Sequence, residues 1–232
     1  MRCRMQWKEA RFLIVGMILC ACMSTPTPLS STLESDSAPA VIELPPPRQV
    51  GDLSLEEALT QRRSVREFSD TPLTADELGQ LLWAAQGITS TAGQRTAPSA
   101  GALYPLEIYV VTDEGVYNYE PQDHRLVSQV QGDQRSELHA AALRQAAVLN
   151  APAVVVIAGI YERTAQKYGA ERSPRYVHLE AGHAAQNLLL QAVALNLGAV
   201  PVGAFEDKKV QEALGLPSDQ QPLYLIPVGH PR

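Results

Sequence analysis

Residues 175–197 predict a long helix that is apolar around nearly its whole circumference. A surface helix of a soluble protein needs only one apolar stripe, so a helix that is apolar all round must be covered on every side. This pattern indicates that the helix lies in the core and also reaches an interface between subunits. A central helix of a monomer is the alternative. The apolar positions are Val177, Leu179, Ala181, Ala184, Ala185, Leu188, Leu189, Leu190, Ala192, Val193, Ala194, Leu195 and Leu197.

The chain beyond residue 50 mixes helix and strand patterns. Two capping boxes, Ser54 to Glu57 and Thr74 to Glu77, predict helices that end near residues 62 and 85. The continuous apolar run at 153–160 predicts a central strand buried on both faces. Strands and helices do not alternate regularly, which favours an α+β fold over a doubly wound sheet. Further strands are expected at 107–112, 115–119, 126–130 and 223–228, an extended segment at 199–204, and helices at 134–149 and 207–214.

The first residues have the pattern of a secretory signal. Residues 1–11 are basic, and a short apolar run follows from Phe12 to Leu19. That run is too short for a comfortable transmembrane helix. Leu19-Cys20-Ala21-Cys22 resembles a bacterial lipobox, in which the last cysteine is lipidated. The sequence therefore predicts a lipoprotein-type signal peptide at 1–21 and a lipid on Cys22, with an uncleaved N-terminal anchor as the alternative.

Composition divides the rest of the chain into a tether and one domain. Residues 22–48 are rich in Ser, Thr and Pro and predict a flexible tether. Residues 49–232 predict the folded domain. The protein is expected to be exported and lipid-anchored to the cell envelope, on its periplasmic or extracellular face, with no other contact to the membrane.

Several kinds of chemistry are excluded by residue content. The cysteines are Cys3, Cys20 and Cys22, so the folded domain has no disulfide, thiolate nucleophile or cysteine-ligated metal. A net charge of −6 argues against nucleic acid as the main partner. The sequence has no GxGxxG, Walker A, GxSxG or HExxH motif, and no metal site is expected.

Three short segments carry binding chemistry. Residues 62–66 (RRSVR) place three guanidinium groups and a hydroxyl at a helix end. The guanidinium groups repel one another unless an anion lies among them. A solvated basic turn is the alternative. Residues 97–105 (APSAGALYP) are mostly small and let the backbone approach a flat ligand closely. Residues 201–205 (PVGAF) place backbone amides at a strand end.

These three segments, with HLEAGHAAQN at 178–187, resemble the FMN-dependent nitroreductase superfamily in order and spacing. The resemblance covers residues 50–230 and is strongest to SagB-type dehydrogenases, which are related to azoline oxidases. It implies a nitroreductase-like α+β fold with a central, mostly antiparallel sheet flanked by helices. It also implies a homodimer that binds two FMN molecules at the subunit interface.

The resemblance assigns roles to individual residues. The RRSVR residues would hold the phosphate, ribityl chain and pyrimidine edge of FMN, and a small-residue loop of the partner subunit would cover it. Backbone N–H groups of the PVGAF segment would contact flavin N5, and one arginine beyond the last strand would grip the phosphate. The cofactor-binding residues implied are Arg62, Arg63, Ser64, Arg66, Pro98, Ser99, Ala100, Ala102, Gly203, Ala204 and Arg232.

Lys167 and Tyr168 resemble the Lys-Tyr pair of azoline oxidases. In those enzymes the pair is thought to remove a proton while a hydride passes to N5, so these two are the catalytic candidates. An exposed lysine beside a packed tyrosine is the alternative.

The resemblance implies an FMN-dependent oxidoreductase with ping-pong hydride transfer through N5, to or from a small organic substrate, with NAD(P)H or another electron donor. Many nitroreductases carry an acidic residue where this chain has Gly203, which weakens a simple nitroreductase assignment. An exported protein cannot join the cytoplasmic complexes of azoline oxidases, so a peptide-heterocycle substrate is not expected. The alternatives are a non-catalytic flavin-binding lipoprotein, acting as electron carrier or assembly partner, and a chain that only dimerises.

Overall fold

The computed structural model describes residues 39–232. The predicted signal peptide, the lipidation of Cys22 and the tether as far as residue 38 lie outside the described residues. The strands are β1 (Val41–Glu43), β2 (Leu106–Val111), β3 (Gly115–Glu120), β4 (Arg125–Gln131), β5 (Ala153–Ile160), β6 (Gly198–Ala199) and β7 (Gln220–Gly229). The helices are α1 (Leu55–Gln61), α2 (Ala75–Gln86), α3 (Arg135–Ala141), α4 (Ala146–Asn150), α5 (Tyr161–Tyr168), α6 (Ser173–Ala194) and α7 (Asp207–Leu214).

The seven strands of the described residues form one sheet in the order β1-β4-β3-β2-β5-β7-β6. Every neighbouring pair in it is antiparallel. Helices cover both faces, so the predicted α+β fold with an antiparallel central sheet flanked by helices is confirmed.

Strand β5 shows why its sequence is continuously apolar. Val155 and Ile157 belong to the core between the sheet and α2 and α6. Val154 and Val156 belong to the core between the sheet and α3, α4 and α7. A strand covered on both faces has no position for a polar side chain, as the sequence predicted.

Helix α6 lies against the sheet with a broad buried face. Val177, Ala181 and Leu188 on that face are fully or almost fully buried. The opposite side is open in the single chain, where Leu179 is 55% exposed. The helix is therefore not covered on every side by its own chain.

Both predicted capping boxes are present. The Ser54 hydroxyl accepts a hydrogen bond from the Glu57 N–H at 3.1 Å, and the Glu57 carboxylate accepts one from the Ser54 N–H at 2.9 Å. Thr74 and Glu77 repeat the arrangement at the start of α2. These reciprocal bonds satisfy N–H groups that have no partner inside a helix.

Two helix predictions needed correction. The single helix expected at 134–149 is divided into α3 and α4, because Leu143 and Arg144 adopt left-handed backbone angles (φ of 54° and 58°). Helix α5 was not predicted at all. Its one face carries Tyr161, Thr164, Ala165 and Tyr168, but this stripe is only eight residues long and contains few apolar side chains, so it gives a weak helix signal in sequence.

The predicted tether extends too far into the domain. Residues 41–43 pair with β4, and Leu44 is only 8% exposed. Beyond them, the Pro45 carbonyl lies 2.9 Å from His124 Nε2, and the Arg48 N–H donates to Gln80 Oε1 at 2.8 Å. The prediction of a tether is therefore wrong for residues 41–48, which bond to the backbone of β4 and to the side chains of His124 and Gln80.

No helix within residues 39–232 combines the length and hydropathy needed to span a bilayer. The same residues contain no cluster of three or more His, Cys, Asp or Glu side chains arranged to hold a metal ion.

Candidate functional site

The RRSVR segment leaves the end of α1 and runs beside β6. Ser64 forms a parallel bridge with Ala199, and the Val65 N–H donates to the Ala199 carbonyl at 3.1 Å. A Cβ at Gly198 would lie 2.5 Å from Val65 Cγ1, so no larger residue fits there without moving the segment. This backbone pairing fixes the positions from which the side chains of the neighbouring arginines extend.

The three arginines of this segment differ in surroundings. Arg63 Nη1 donates to the carbonyls of Thr60 and Arg62 at 2.9 and 2.8 Å, which holds it on the end of α1. Arg62 is half-buried and Arg66 is exposed. Among residues 39–232, no carboxylate lies within 4.0 Å of any of these guanidinium groups. Positive groups without a counter-ion suit an anionic ligand.

A cavity of about 900 Å³ lies beside this segment, lined by Arg66, Arg232, Gln145, Val200 and Val202, among others. Residues 67–69 pair with residues 230–232, which brings the two arginines to one cavity. The Arg232 guanidinium also lies 3.3 Å from Asp70. A cavity of this size is in the range of small-molecule and cofactor sites.

The PVGAF segment lies at the same end of the sheet. Val202 bridges to Leu225, and Gly203 and Ala204 follow it in exposed positions. Gln145 Nε2 donates to the Ala204 carbonyl at 2.8 Å. Within the part of the chain that the structure describes, neither Gly203 nor Ala204 donates its own N–H to another residue. Both amides are therefore available to a ligand.

The small-residue loop at 98–104 has an unusual backbone. Gly101, Ala102 and Tyr104 have positive φ angles of 64°, 53° and 46°. A left-handed angle costs an ordinary residue about 1–2 kcal/mol, so the surroundings must hold the loop in place. The Ser99 hydroxyl accepts the Tyr104 N–H at 2.9 Å. Pro98 and Ala102 are exposed, and Ala100 is half-buried.

Two further arginines hold this loop from outside. Arg163 of α5 donates to the Tyr104 carbonyl at 3.1 Å and also pairs with Glu107. The Arg95 guanidinium carbon lies 4.6 Å from the centre of the Tyr104 ring. Tyr104 is thus held through both its backbone carbonyl and its side chain.

Lys167 and Tyr168 lie at the end of α5, directly against the loop. A Cβ built on Gly101 would be 2.8 Å from Lys167 Nζ and 2.9 Å from the Tyr168 hydroxyl. The Tyr168 ring packs on Tyr176 at 4.6 Å between centres, whereas Lys167 is exposed. The structure therefore brings the predicted catalytic pair to the predicted cofactor loop.

The remaining predicted residues do not all meet in one chain. The cavity beside Arg66 and Arg232 is lined neither by the 98–102 loop nor by Lys167 and Tyr168. Arg62, Arg63, Ser64, Gly203 and Ala204 do not line it either. A single chain thus carries two partial sites, one at the cavity lined by Arg66 and Arg232 and one with the Lys-Tyr pair.

A buried polar cluster behind the loop was missed from the sequence. Gln86 Nε2 donates to Glu180 Oε1 at 3.4 Å, and Arg95 Nη1 donates to Gln86 Oε1 at 3.0 Å. Burial raises the pKa of Glu180 to about 7, while hydrogen bonds from Ser99 and Gln86 and the charge of Arg95 act in the opposite direction. A signal was present, because Glu180 interrupts the apolar face of α6 between Val177 and Ala184.

Comparison with known proteins finds relatives along almost the whole domain. A family model described as the nitroreductase family matches residues 59–230. A nitroreductase of Methanocaldococcus jannaschii, MJ1384, is 47% identical over 194 residues, which cover 81% of this chain and 95% of that protein.

Solved structures give the same result. A nitroreductase from Ralstonia eutropha JMP134 superposes with a TM-score of 0.76 at 32% identity, covering 84% of this chain and 94% of that one. The NADPH:FMN oxidoreductase from Vibrio harveyi, solved with NAD⁺, has a TM-score of 0.58 at 27% identity, covering 76% of this chain and 68% of that one.

Proposed function

The chain belongs to the nitroreductase family and is an oxidoreductase of the flavin-dependent type, and we propose that it is an FMN enzyme of the SagB type. The reaction proposed is ping-pong transfer of a hydride to or from a small organic substrate. The observation that carries the proposal is the contact of Lys167 and Tyr168 with the Gly101 loop. That contact places a proton-handling pair beside the loop that would cover the cofactor.

The residues present fit FMN. A cavity of about 900 Å³ is lined by Arg66, Arg135 and Arg232 and also by Glu67, Asp70 and Asp113. Arg135 pairs with Asp133, and Arg232 lies 3.3 Å from Asp70. Arg66 has no carboxylate within 4.0 Å among the described residues and is therefore the arginine available to an anion. A phosphate is the anion that best uses such forked donors. The free N–H groups of Gly203 and Ala204 would contact the edge of the ring system.

FMN, when bound, supplies an atom that accepts a hydride and returns it. The chain supplies proton handling, since a substrate that loses a hydride from one carbon loses a proton from a neighbouring atom. Lys167 Nζ would take that proton in its uncharged form, which burial beside the flavin in the dimer would favour. The Tyr168 hydroxyl would orient the substrate. Packing on Tyr176 fixes the Tyr168 ring, so the hydroxyl keeps its position.

A homodimer would join the two partial sites. Leu55 and Leu59 of α1 are 60% and 53% exposed, and both helices α1 and α6 present apolar side chains to solvent. Burial of such side chains stabilises an association. We propose that two copies pack through these helices, so that the Lys-Tyr pair of one copy faces the FMN held by the arginines of the other.

Export and lipidation belong to the same proposal. They rest on the basic and apolar pattern of residues 1–19 and on the lipobox-like LCAC. In cells fed an alkyne-tagged fatty acid, the full-length protein is expected to incorporate the label and to sediment with membranes. Cys22→Ala should lose both properties, whereas Cys20→Ala should keep them. Equal labelling of the two variants would overturn the proposal.

The spectrum of the purified full-length protein tests the function. We expect the absorption bands of oxidised flavin after reconstitution with FMN, and bleaching under anaerobic NADH or another hydride donor. Reoxidation by an added acceptor, in a second step that does not need the donor, would support ping-pong turnover. Flavin that binds but never bleaches would favour the electron-carrier or assembly role. A protein that stays colourless after reconstitution would refute both the enzyme and the flavin-binding carrier.

A further inference from the structure

Gln145 joins the arginine-lined cavity to the PVGAF segment. Its side chain lines the cavity of about 900 Å³, and its Nε2 donates to the Ala204 carbonyl at 2.8 Å and to the Ala142 carbonyl at 3.0 Å. A carbonyl oxygen only accepts hydrogen bonds, so the nitrogen of the amide must face both carbonyls. The two bonds use both protons of the amide. The side chain therefore has a fixed position between the end of α3 and the PVGAF segment.

The backbone turn that leads to Gln145 is strained. Leu143 and Arg144 have φ angles of 54° and 58°, and the Gln145 N–H closes the turn by donating to the Ala142 carbonyl at 3.2 Å. The left-handed region is unfavourable for residues that carry a side chain. Strained backbone conformations are concentrated at functional sites. The fold thus keeps an unfavourable turn at the point that carries this amide.

Residues 203–205 lie between two backbone anchors. Val202 exchanges hydrogen bonds with Leu225 at 2.8 and 3.0 Å, and the Glu206 N–H donates to the Ala141 carbonyl at 2.9 Å. Within the part of the chain that the structure describes, the three residues between these anchors form no backbone–backbone hydrogen bond. Backbone pairing therefore does not set the directions of their N–H groups.

The amide of Gln145 holds the middle of this segment. Its bond to the Ala204 carbonyl restrains the backbone directly after Gly203. A Cβ built on Gly203 would have no heavy atom within 4 Å, so the side of the residue on which a side chain would lie is open. Glycine has more backbone freedom than other residues, and a segment without this bond would sample many orientations. The bond from Gln145 therefore restricts the directions of the Gly203 and Ala204 N–H groups.

We propose that Gln145 is a positioning residue for the flavin, which orients the Gly203 and Ala204 N–H groups toward N5. This inference rests on the proposed function, because it takes these N–H groups to contact the ring edge of FMN. Oxidised N5 accepts a hydrogen bond, whereas reduced N5 carries a hydrogen of its own. An N–H group directed at N5 therefore stabilises the oxidised flavin more than the reduced flavin, and it lowers the reduction potential.

The reduction potential of bound FMN tests this inference. Gln145→Met keeps the approximate length of the side chain and removes both donors. In the full-length protein reconstituted with FMN, we expect this variant to bind oxidised over reduced flavin with about tenfold less preference, which raises the midpoint potential by about 30 mV. Anaerobic reduction in the presence of a reference dye measures the potential. A potential equal to or below that of the wild type would overturn the inference.

Gln145→Asn separates the PVGAF segment from the strained turn. The asparagine amide is shorter, so we expect it to bond to the nearby Ala142 carbonyl without reaching Ala204. Asparagine is also favourable at the residue before a helix, which is the place of Gln145 before α4. This variant should therefore fold even if Gln145→Met does not, and its potential should rise in the same way. If Gln145 only closes the turn, the potential of Gln145→Asn will equal that of the wild type, which contradicts the inference.

Gln129→Met is the matched control. Gln129 Nε2 donates to the Gly215 carbonyl at 2.7 Å, at the end of α7 and outside the cavity, so the variant loses a bond of the same kind. Its potential should equal that of the wild type. A rise as large as in the Gln145 variants would indicate a general loss of rigidity and would count against the inference. A wild-type protein that binds no FMN would instead refute the proposed function.

Discussion

Replacing Arg62 and Arg66 together by alanine is expected to weaken FMN binding strongly while the domain stays folded. Neither guanidinium has a carboxylate within 4.0 Å among residues 39–232, so the fold does not need these charges for its own ion pairs. Hydrogen bonds to a charged ligand contribute about 1.5–3 kcal/mol each. Loss of two should raise the dissociation constant by a factor on the order of 10² or more, measured by fluorescence titration.

A charge-matched control separates phosphate binding from general electrostatics. Arg172→Ala with Lys208→Ala removes two exposed positive charges elsewhere on the domain. That double variant should bind FMN as the wild type does. Unchanged FMN affinity in Arg62→Ala with Arg66→Ala would contradict the site assignment, and the alternative of a solvated basic turn would then stand.

Elements with a local signal could be predicted from the sequence. The capping boxes at Ser54 and Thr74 depend on residues three positions apart, and both are present. The strand at 153–160 follows from its own apolar run. The hydrogen bonds of each capping box lie within a few residues of one another. The strand is buried along its whole length, so its burial pattern is uniform.

Elements that depend on distant partners could not be predicted. Val41–Glu43 form a strand only because β4 offers an edge, and their own pattern shows no periodicity. The division between α3 and α4 depends on Leu143 and Arg144 in left-handed conformations, without the glycine that normally marks such a turn. Sequence patterns report local preference, and neither feature is local.

The candidate site also combines features that have a local sequence signal with features that depend on distant residues. The RRSVR, APSAGALYP and PVGAF segments could be found individually, because each has a distinctive composition. That Gly101 lies against Lys167, and Arg66 beside Arg232, depends on sheet topology. Glu180 is harder to identify from sequence, because one acidic residue hardly changes the apolar pattern of α6 as a whole.

Lys167→Ala is expected to retain FMN and to lose substrate oxidation. A positioned general base contributes about 10²- to 10⁴-fold to a proton transfer. A suitable chemical probe, which need not resemble the physiological substrate, is a 2-aryl thiazoline, whose oxidation to the thiazole releases one hydride and one proton. Anaerobic stopped-flow bleaching by this probe should slow by a factor on the order of 10² or more in the variant.

Reduction by NADH is the internal control, because hydride transfer from a dihydropyridine needs no base. NADH-driven bleaching in Lys167→Ala should therefore stay within about threefold of the wild type, as should both reactions in Lys208→Ala. Tyr168→Phe keeps the ring that packs on Tyr176 and removes only the hydroxyl, so it tests orientation apart from packing. If Lys167→Ala slows both half-reactions equally, the lysine supports the Gly101 loop rather than the proton transfer, since its Nζ would lie only 2.8 Å from a Cβ at that position.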